Sequence, residues 1–564
     1  MCGIAGIWQR NGAPVDRARL ARMAETLVHR GPDDSGFHFD DAAGLGLAHR
    51  RLSILDLTSA GHQPMVYQDR YWLTYNGEVY NFQALRRELE DLGHTFQTQT
   101  DSEVILHSYA EWGPDAVTKW NGMWALAIWD SQERTLFVSR DRLGVKPLYY
   151  SHIGDTLAFA SEIKALLSLP GLLKQPYEPA VQDFLRRDLQ DHAETTFYEN
   201  ILQVPAAHWI LFHPDRGPER RRYWQIDPRR RLDLNVDEAA EYFRDLLSDS
   251  VRLRLISDVP VGTCLSGGLD SSAIVCAMTE YLGQGKVETF SARFVEPKWD
   301  EGVYIRIVLD QTGAVPHPVF PDPDDFIEDL DRMLWYQDEP FASLSMFAQW
   351  SVMRAAKQAG VTVLLDGQGS DELFAGYGFW GTYWADLLTR GRWGDLWDSW
   401  HARSAIDKRP MTQQWLSTMG GFRQQGSSGF GRLNGILHDY LTRRRLPALL
   451  HWEDRNSMAF SREARVPFLD YRLVEFAFAL ADECKLHDGW DKALIRKSGI
   501  LPEAIARRRD KMGFVTPQEG WMNGPLAPFI NATLARKSSP YTEDAQIPLW
   551  QRFILERWWQ LNWG

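Results

Sequence analysis

Two periodicities divide the chain. From residue 3 to about residue 165, short runs of alternating apolar and polar residues predict half-buried strands joined by turns, with helical spacing near Arg17 to Leu27, Phe82 to Leu92 and Ser102 to Trp112. Strand pairs are expected at Met123 to Trp129 with Thr135 to Ser139, and at Leu148 to Ser151 with Thr156 to Ala160. This pattern is that of an α+β layered domain. A stretch rich in proline and charge follows, containing apparent strands at Ile201 to Val204 and His208 to Phe212. A long amphipathic helix from Val236 to Ile256 then opens a second region. There, apolar strands alternate with helices at 272 to 282, 303 to 312 and 324 to 335, with strands at Val287 to Phe294 and Val315 to Val319 between them. Such alternation predicts a doubly wound parallel sheet, and helical spacing dominates from there on. The expected division is residues 1–200, a linker at 201–235, and 236–564. The tail Leu549 to Gly564 holds four of the chain's 24 tryptophans and is expected to be a packing helix.

The second region carries two loops of unusual chemistry. The apolar run Val259 to Leu265 ends in Ser266 to Ser272, SGGLDSS, and an apolar helical pattern follows it. Adjacent glycines let the backbone approach a ligand, while serines and a helix start offer donors to an anion. A phosphate cradle and an ordinary Gly-Ser turn both fit those seven residues. No GxxxxGK[ST] occurs, so the cradle is not of the Walker type. Val361 to Tyr377, VTVLLDGQGSDELFAGY, repeats the arrangement, since an apolar strand ends in Asp366 and a glycine-spaced acidic loop. Ligands of open parallel sheets bind beyond the carboxyl ends of the strands, so the two loops are placed to wall one nucleotide pocket. Asp270 and Asp371 would then share a magnesium ion with the phosphates.

Composition narrows the class. Of 564 residues, 44% are hydrophobic and 24% charged, which fits a globular protein rather than a disordered or membrane-embedded one. A net charge of −13 argues against a partner bound through a phosphate backbone, and the arginines between Arg216 and Arg231 are expected in a solvated linker. Cys2, Cys264, Cys276 and Cys484 form no CxxC pair, as in a reducing compartment, and no signal peptide or spanning segment is read. Cytoplasm is the expected location.

Cys2 raises a second chemistry. If Met1 is removed, its thiol stands beside a free α-amine, which serves as a local base near neutral pH. A cysteine starting an apolar strand is the plain alternative. After it come RGPDDSG (Arg30 to Gly36), LAHRRLSILD (Leu47 to Asp56), YNGEVYNF (Tyr75 to Phe82), TDSEVI (Thr100 to Ile105) and RDRLGVKPLYY (Arg140 to Tyr150). In that order and spacing they resemble a class II glutamine amidotransferase domain. SGGLDSS with DGQGSDELFAGY, DRNSMAFSREARVPFLD (Asp454 to Asp470), WDKALIRKS (Trp490 to Ser498) and RRRDKMGFVTP (Arg507 to Pro517) resemble the pyrophosphate-loop domain of glutamine-dependent asparagine synthetases.

The resemblance covers nearly the whole chain. It implies an N-terminal-nucleophile αββα fold that hydrolyses glutamine, followed by an ATP pyrophosphatase domain that activates aspartate as an acyl-adenylate. Cys2 would attack the amide, Asn76 and the N–H of Gly77 would hold the oxyanion, Arg51 the glutamine carboxylate, and Glu78 and Asp101 its ammonium. Leu265, Ser266, Gly267, Gly268, Asp270, Ser271, Ser272, Ala292, Asp366, Gly367 and Lys511 would bind ATP, and Lys492 would stabilise the adenylate. Magnesium with ATP as cosubstrate, no prosthetic group, small-molecule substrates, no nucleic-acid or membrane partner, and a homodimer complete what it implies. Many relatives read SGEGSDE where this chain has DGQGSDE, so Asp366 replaces a serine and Gln368 a glutamate. Glutamine is no general base. Either water, phosphate or another carboxylate such as Glu372 takes the ammonia proton, or the acceptor is a different carboxylate in a natural product or cell-envelope precursor.

Overall fold

The computed structural model describes residues 2–564 apart from Arg409, Gln425, Lys511 and Phe514. In the N-terminal half the alternating stretches pair into two antiparallel sheets. The first is six-stranded, in the order Leu202–Gln203, Tyr149–Ile153, Thr156–Ala160, Gly3–Gln9, Leu45–Arg51, Asp34–Asp40. The second, also six-stranded, runs Glu219–Arg222, His208–Phe212, Thr135–Arg140, Gly122–Asp130, Tyr71–Val79, Met65–Tyr67. Both strand pairs expected from the alternation form. Ile4, Trp8, Leu47, Ala127 and Trp129 fill the space between the sheets. Helix Arg17–Glu25 covers the outer face of the first sheet, and Phe82–Asp91 with Asp101–Trp112 covers that of the second. Gly3–Gln9 is therefore buried on both faces, which is why it reads as a nearly continuous apolar run.

Much of the stretch expected as a linker is built into these sheets. His208–Phe212 pairs with Thr135–Arg140, and Glu219–Arg222 adds the edge strand beyond it. The arginines Arg220, Arg221 and Arg222 of that edge are exposed, as their charge led us to expect. Charge on an edge strand also discourages pairing with other chains.

In the C-terminal half a five-stranded parallel sheet has the order Val315–Val319, Glu288–Ala292, Val261–Cys264, Val363–Leu365, Glu463–Arg465. The direction of winding reverses between Val261–Cys264 and Val363–Leu365, so the SGGLDSS and DGQGSDE loops leave neighbouring strands at the crevice where such sheets bind ligands. Helix Val236–Arg254 enters this domain through a capping box made by Asn235 and Glu238. The tryptophan-rich tail is a helix, Leu549–Trp563, anchored by bonds from Trp550 Nε1 to the Phe341 carbonyl (3.0 Å) and from Trp558 Nε1 to that of Asp338 (2.9 Å). Among the described residues no helix is long and apolar enough to cross a membrane.

The halves meet along helix Leu446–Met458, whose residues 450–458 are all buried. Asp454 on this helix takes both Nη atoms of Arg30 from the N-terminal half, at 2.8 and 3.1 Å, and Arg30 also reaches Glu162 at 2.6 Å. Arg455 donates to Asp454 at 2.9 Å and to the Tyr149 hydroxyl at 3.3 Å. Burial alone would raise the Asp454 carboxyl, but Arg30, Lys146 and Arg455 hold it down at about 2. A carboxyl depressed in this way contributes stability above its ordinary value and loses it as the pH falls through the folded one. Asp454→Asn is therefore expected to cost about 3–5 kcal/mol, because it removes a buried partner of Arg30 and Arg455 and leaves Glu162 as the remaining close partner of Arg30. Urea titrations at a series of pH values should show that loss at neutral pH and a shallower acid limb below about pH 4 in the variant.

Candidate active sites

Cys2 precedes the first central strand, and Asn76 lies on the neighbouring sheet in strand Tyr71–Val79. Asn76 Oδ1 accepts the Cys2 N–H at 2.9 Å, so the asparagine holds the atom that becomes the α-amine once Met1 is removed. Its Nδ2 is buried and finds no acceptor among the described residues. An orphaned donor costs roughly 1–3 kcal/mol, and this one belongs to the same side chain that holds the Cys2 nitrogen. Gly77 follows, and a Cβ there would lie 2.1 Å from the Met123 carbonyl, so the close approach of the strands demands glycine. Burial pushes the Cys2 thiol up, and the nearby amino terminus and Arg51 oppose it. Arg51 spends much of its guanidinium on the carbonyls of Thr58 (2.7 Å), Leu55 (3.1 Å) and Asp56, holding the 55–58 loop over the site.

Glu78 and Asp101 meet in the same pocket. Asp101 Oδ2 accepts the Tyr75 hydroxyl at 2.8 Å and the Val79 N–H at 2.9 Å, and burial lifts its carboxyl to about 6. Glu78 is raised further by burial, by Glu463 and by Asp101, with Arg465 opposing at 3.6 Å. Glu463 and Arg465 belong to the edge strand of the C-terminal sheet, so the far domain supplies part of this site's charge. Arg30 completes the connection, since its Nε donates to the Cys2 carbonyl at 3.0 Å.

The second site lies at the reversal of the parallel sheet. Leu265 to Gly268 turn from Val261–Cys264 into helix Leu269–Leu282. Gly267 takes a φ of +76°, and a Cβ there would stand 2.9 Å from the Ile305 nitrogen. The Ser266 N–H donates to Ser271 Oγ at 3.1 Å and the Gly268 N–H to Ser266 Oγ at 3.2 Å, while buried Ser272 Oγ has no partner among the described residues. Ala292 ends the adjacent strand, and the Gly367 backbone passes so close that its Cβ would be 3.0 Å from Asp270 Cβ.

Lys492 organises the opposite wall. Its Nζ lies 2.6 Å from Asp270 and 2.7 Å from Asp371, and its backbone is held at φ +53°, a costly conformation for a non-glycine residue. Burial alone would strip the lysine of its proton, but the two aspartates outweigh it and keep the ammonium charged. Both carboxylates retain access to solvent, at 23% and 24% of their side-chain surface, and they converge beside the glycine loop. That donor set fits magnesium, which favours one or two carboxylates with waters and phosphate oxygens.

Sequence motifs left several residues of these sites unassigned. Buried Arg508 donates to the Gly267 carbonyl at 3.0 Å, pairs with Glu301 at 2.7 Å and stacks on Tyr304 at 3.7 Å, so it braces the phosphate loop from behind. Arg30 and Arg465 stood inside quoted motifs without a role, because their partners Asp454 and Glu78 are hundreds of residues away. Glu372 is buried, accepts the Tyr377 hydroxyl, and is raised to about 7 first by burial and then by Asp371. Lys511, expected near the phosphates, lies outside the described residues.

Comparison with known proteins finds one family match in each half of the chain. Residues 1–224 match the glutamine amidotransferase domain and residues 242–563 match asparagine synthase. Glutamine-hydrolysing asparagine synthetase 3 of Bacillus subtilis is 33% identical, covering 90% of this chain and 86% of its own. A putative asparagine synthetase 2 of Methanocaldococcus jannaschii is 38% identical over 67% of this chain and 76% of its own. A protein of Gibberella zeae named as the amidase chry2 is 27% identical over 93% and 90%.

Gly376 tests the second site without replacing a charged residue. A Cβ there would fall 1.6 Å from Asp371 Oδ1 and 2.3 Å from Lys492 Cε. Gly376→Ala is expected to slow ATP-dependent pyrophosphate release by about 10²-fold, the usual consequence of displacing a positioned group by an ångström. Glutamine turnover, assayed as glutamate formed, should stay within about twofold, because Cys2 and Asn76 stand on the other domain.

Proposed function

The chain belongs to the asparagine synthase family, and on that premise we propose that it makes asparagine from aspartate, ATP and glutamine. The observation that carries the reading is the continuity of the two sites. Cys2 bonds to Arg30, Arg30 to Asp454, and the helix bearing Asp454 packs into the ATP-side pocket. Residues 1 to about 224 form the glutaminase and residues from Val236 onward the synthetase, with the polypeptide between them as the connection. Cytoplasm and a homodimer belong to the same reading. The location is supported by four unpaired cysteines, and the dimer rests on the resemblance alone, for light scattering to check.

At the first site the freed α-amine of Cys2, oriented by Asn76 Oδ1, takes the thiol proton as sulfur attacks the glutamine side-chain amide. Asn76 Nδ2 and the Gly77 N–H receive the oxyanion, and the amine returns the proton to the departing ammonia. Glu78 and Asp101 accept the substrate's ammonium, and the free N–H groups of Arg51 take its carboxylate. Released to bulk water, ammonia would be protonated and lost as a nucleophile, so the buried contact between the halves has a chemical purpose.

At the second site the SGGLDSS backbone and hydroxyls bind the triphosphate, with Asp366, Gly367 and Ala292 lining the nucleotide pocket. Asp270 and Asp371 would hold magnesium, which when bound neutralises the pyrophosphate leaving group. The aspartate carboxylate attacks the α-phosphorus, and Lys492 then places its ammonium where the adenylate carbonyl develops negative charge. Gln368 and the resemblance to an amidase favour one second reading, the same chemistry on a different carboxylate.

Purified protein given magnesium-ATP, glutamine and a panel of carboxylates decides between them, with the amide product identified by mass. Asparagine from aspartate supports the first reading, and brisk pyrophosphate release only with another acid moves the substrate. Cys2→Ala should abolish glutamine use while ammonium salts still support amide formation, and Asn76→Ala should lower the glutaminase kcat by about 10²–10³. Equal loss of glutamine-dependent and ammonia-dependent synthesis in Cys2→Ala would sink the two-site model.

A further inference from the structure

Gln368 leaves the amide-forming step without an evident proton acceptor. The alternatives within reach differ in geometry. Glu372 is committed to Tyr377. Glu453, one residue before Asp454, is 2% exposed, and its carboxyl faces both Asp366 and the Gln368 side chain. Asp366 and Gln368 are its hydrogen-bonding neighbours; burial and Asp366 push the carboxyl well up, while Gln368 and Lys146 oppose the rise. Glu453 also stands one residue from the contact between the halves. Its helix neighbour Asp454 holds Arg30, Arg30 holds the Cys2 carbonyl, and buried Lys146, from the glutaminase domain, opposes the rise of the Glu453 carboxyl.

We propose that Glu453 takes the proton of the incoming ammonia during attack on the acyl-adenylate, the task for which Gln368 has no basic group. The inference rests on the acyl-adenylate reading above. The nitrogen lone pair forms the C–N bond and the carbonyl π pair moves to oxygen, where Lys492 stabilises it. One N–H proton passes to the Glu453–Asp366 carboxyl pair, which takes it as a unit. The oxyanion pair then re-forms the carbonyl as the C–O bond to phosphate breaks, and AMP leaves with that bonding pair. The products are the primary amide, AMP and one proton on Glu453, which Asp366 beside it shares. Gln368 keeps a role as the amide that hydrogen-bonds and orients Glu453.

The test separates three readouts in one protein: glutamate formed from glutamine, ATP–pyrophosphate exchange with the acceptor acid, and amide formed. Glu453→Gln is expected to keep the first two within about threefold and to slow the third by about 10²–10⁴-fold, the range of a lost general base. The double variant Gln368→Glu with Glu453→Gln should recover at least about tenfold of that loss, because a carboxylate returns to the same pocket. Amide formation within about threefold of native in Glu453→Gln overturns the inference, as does an equal fall in exchange or a double variant no better than the single one. If Glu453→Gln does not accumulate as folded protein, Glu453→Asp decides on the same readouts, with a selective drop of about tenfold expected and none overturning it. A native protein that shows no exchange with any acid in the panel overturns the underlying reading instead, so the two failures are distinct.

Discussion

The ion pair between Arg30 and Asp454 is the contact on which both sites depend. Each partner is fully buried, and burying two charges costs several kcal/mol before their attraction is counted. That cost is offset only because the remaining hydrogen-bonding capacity is also used, by Glu162, by the Cys2 carbonyl and by Arg455. An apolar contact of the same size would hold the halves together about as well. It would not set the distance and angle between Cys2 and the helix that carries Glu453.

Strain is concentrated at the second site for a related reason. Lys492 sits in the left-handed region, and Gly376 leaves it room that no side chain could leave. Backbone held in such a conformation persists when its surroundings over-determine it, and two aspartates gripping one ammonium do so. On the proposed reading Asp270 and Asp371 would have two tasks, since the same oxygens that hold Lys492 are those suited to a cation beside the phosphates.

Local pattern was enough for most of the architecture. Alternation placed the strand pairs of the first domain, and the apolar runs ending in glycine loops placed the strands on which the nucleotide pocket stands. The residues that lie within one motif fall together in the fold for the same reason, because Asn76 and Gly77, or Ser266 to Ser272, are neighbours in the chain. Pattern failed where charge masked pairing, as in Glu219–Arg222, whose arginines are solvated and yet part of a sheet. It also failed where a role is made by distance in the fold. Arg508 reads as one of five consecutive charged residues, and only the structure puts it under Gly267. Glu453 precedes a recognisable motif by one position and carries no local signal.

The edge strand Glu463–Arg465 bears on how such a protein is inherited. It lies inside the segment matched as asparagine synthase, yet its arginine offsets the charge of Glu78, and its glutamate adds to it, in a pocket matched as glutamine amidotransferase. The boundary drawn between two sequence families is therefore not a boundary between two electrostatic units. A front half transplanted onto an unrelated ligase would arrive with crowded carboxylates and no guanidinium to balance them. An incoming sheet would have to end in a strand presenting the same charges at the same register, so the constraint on pairing these two domains would sit in a three-residue strand.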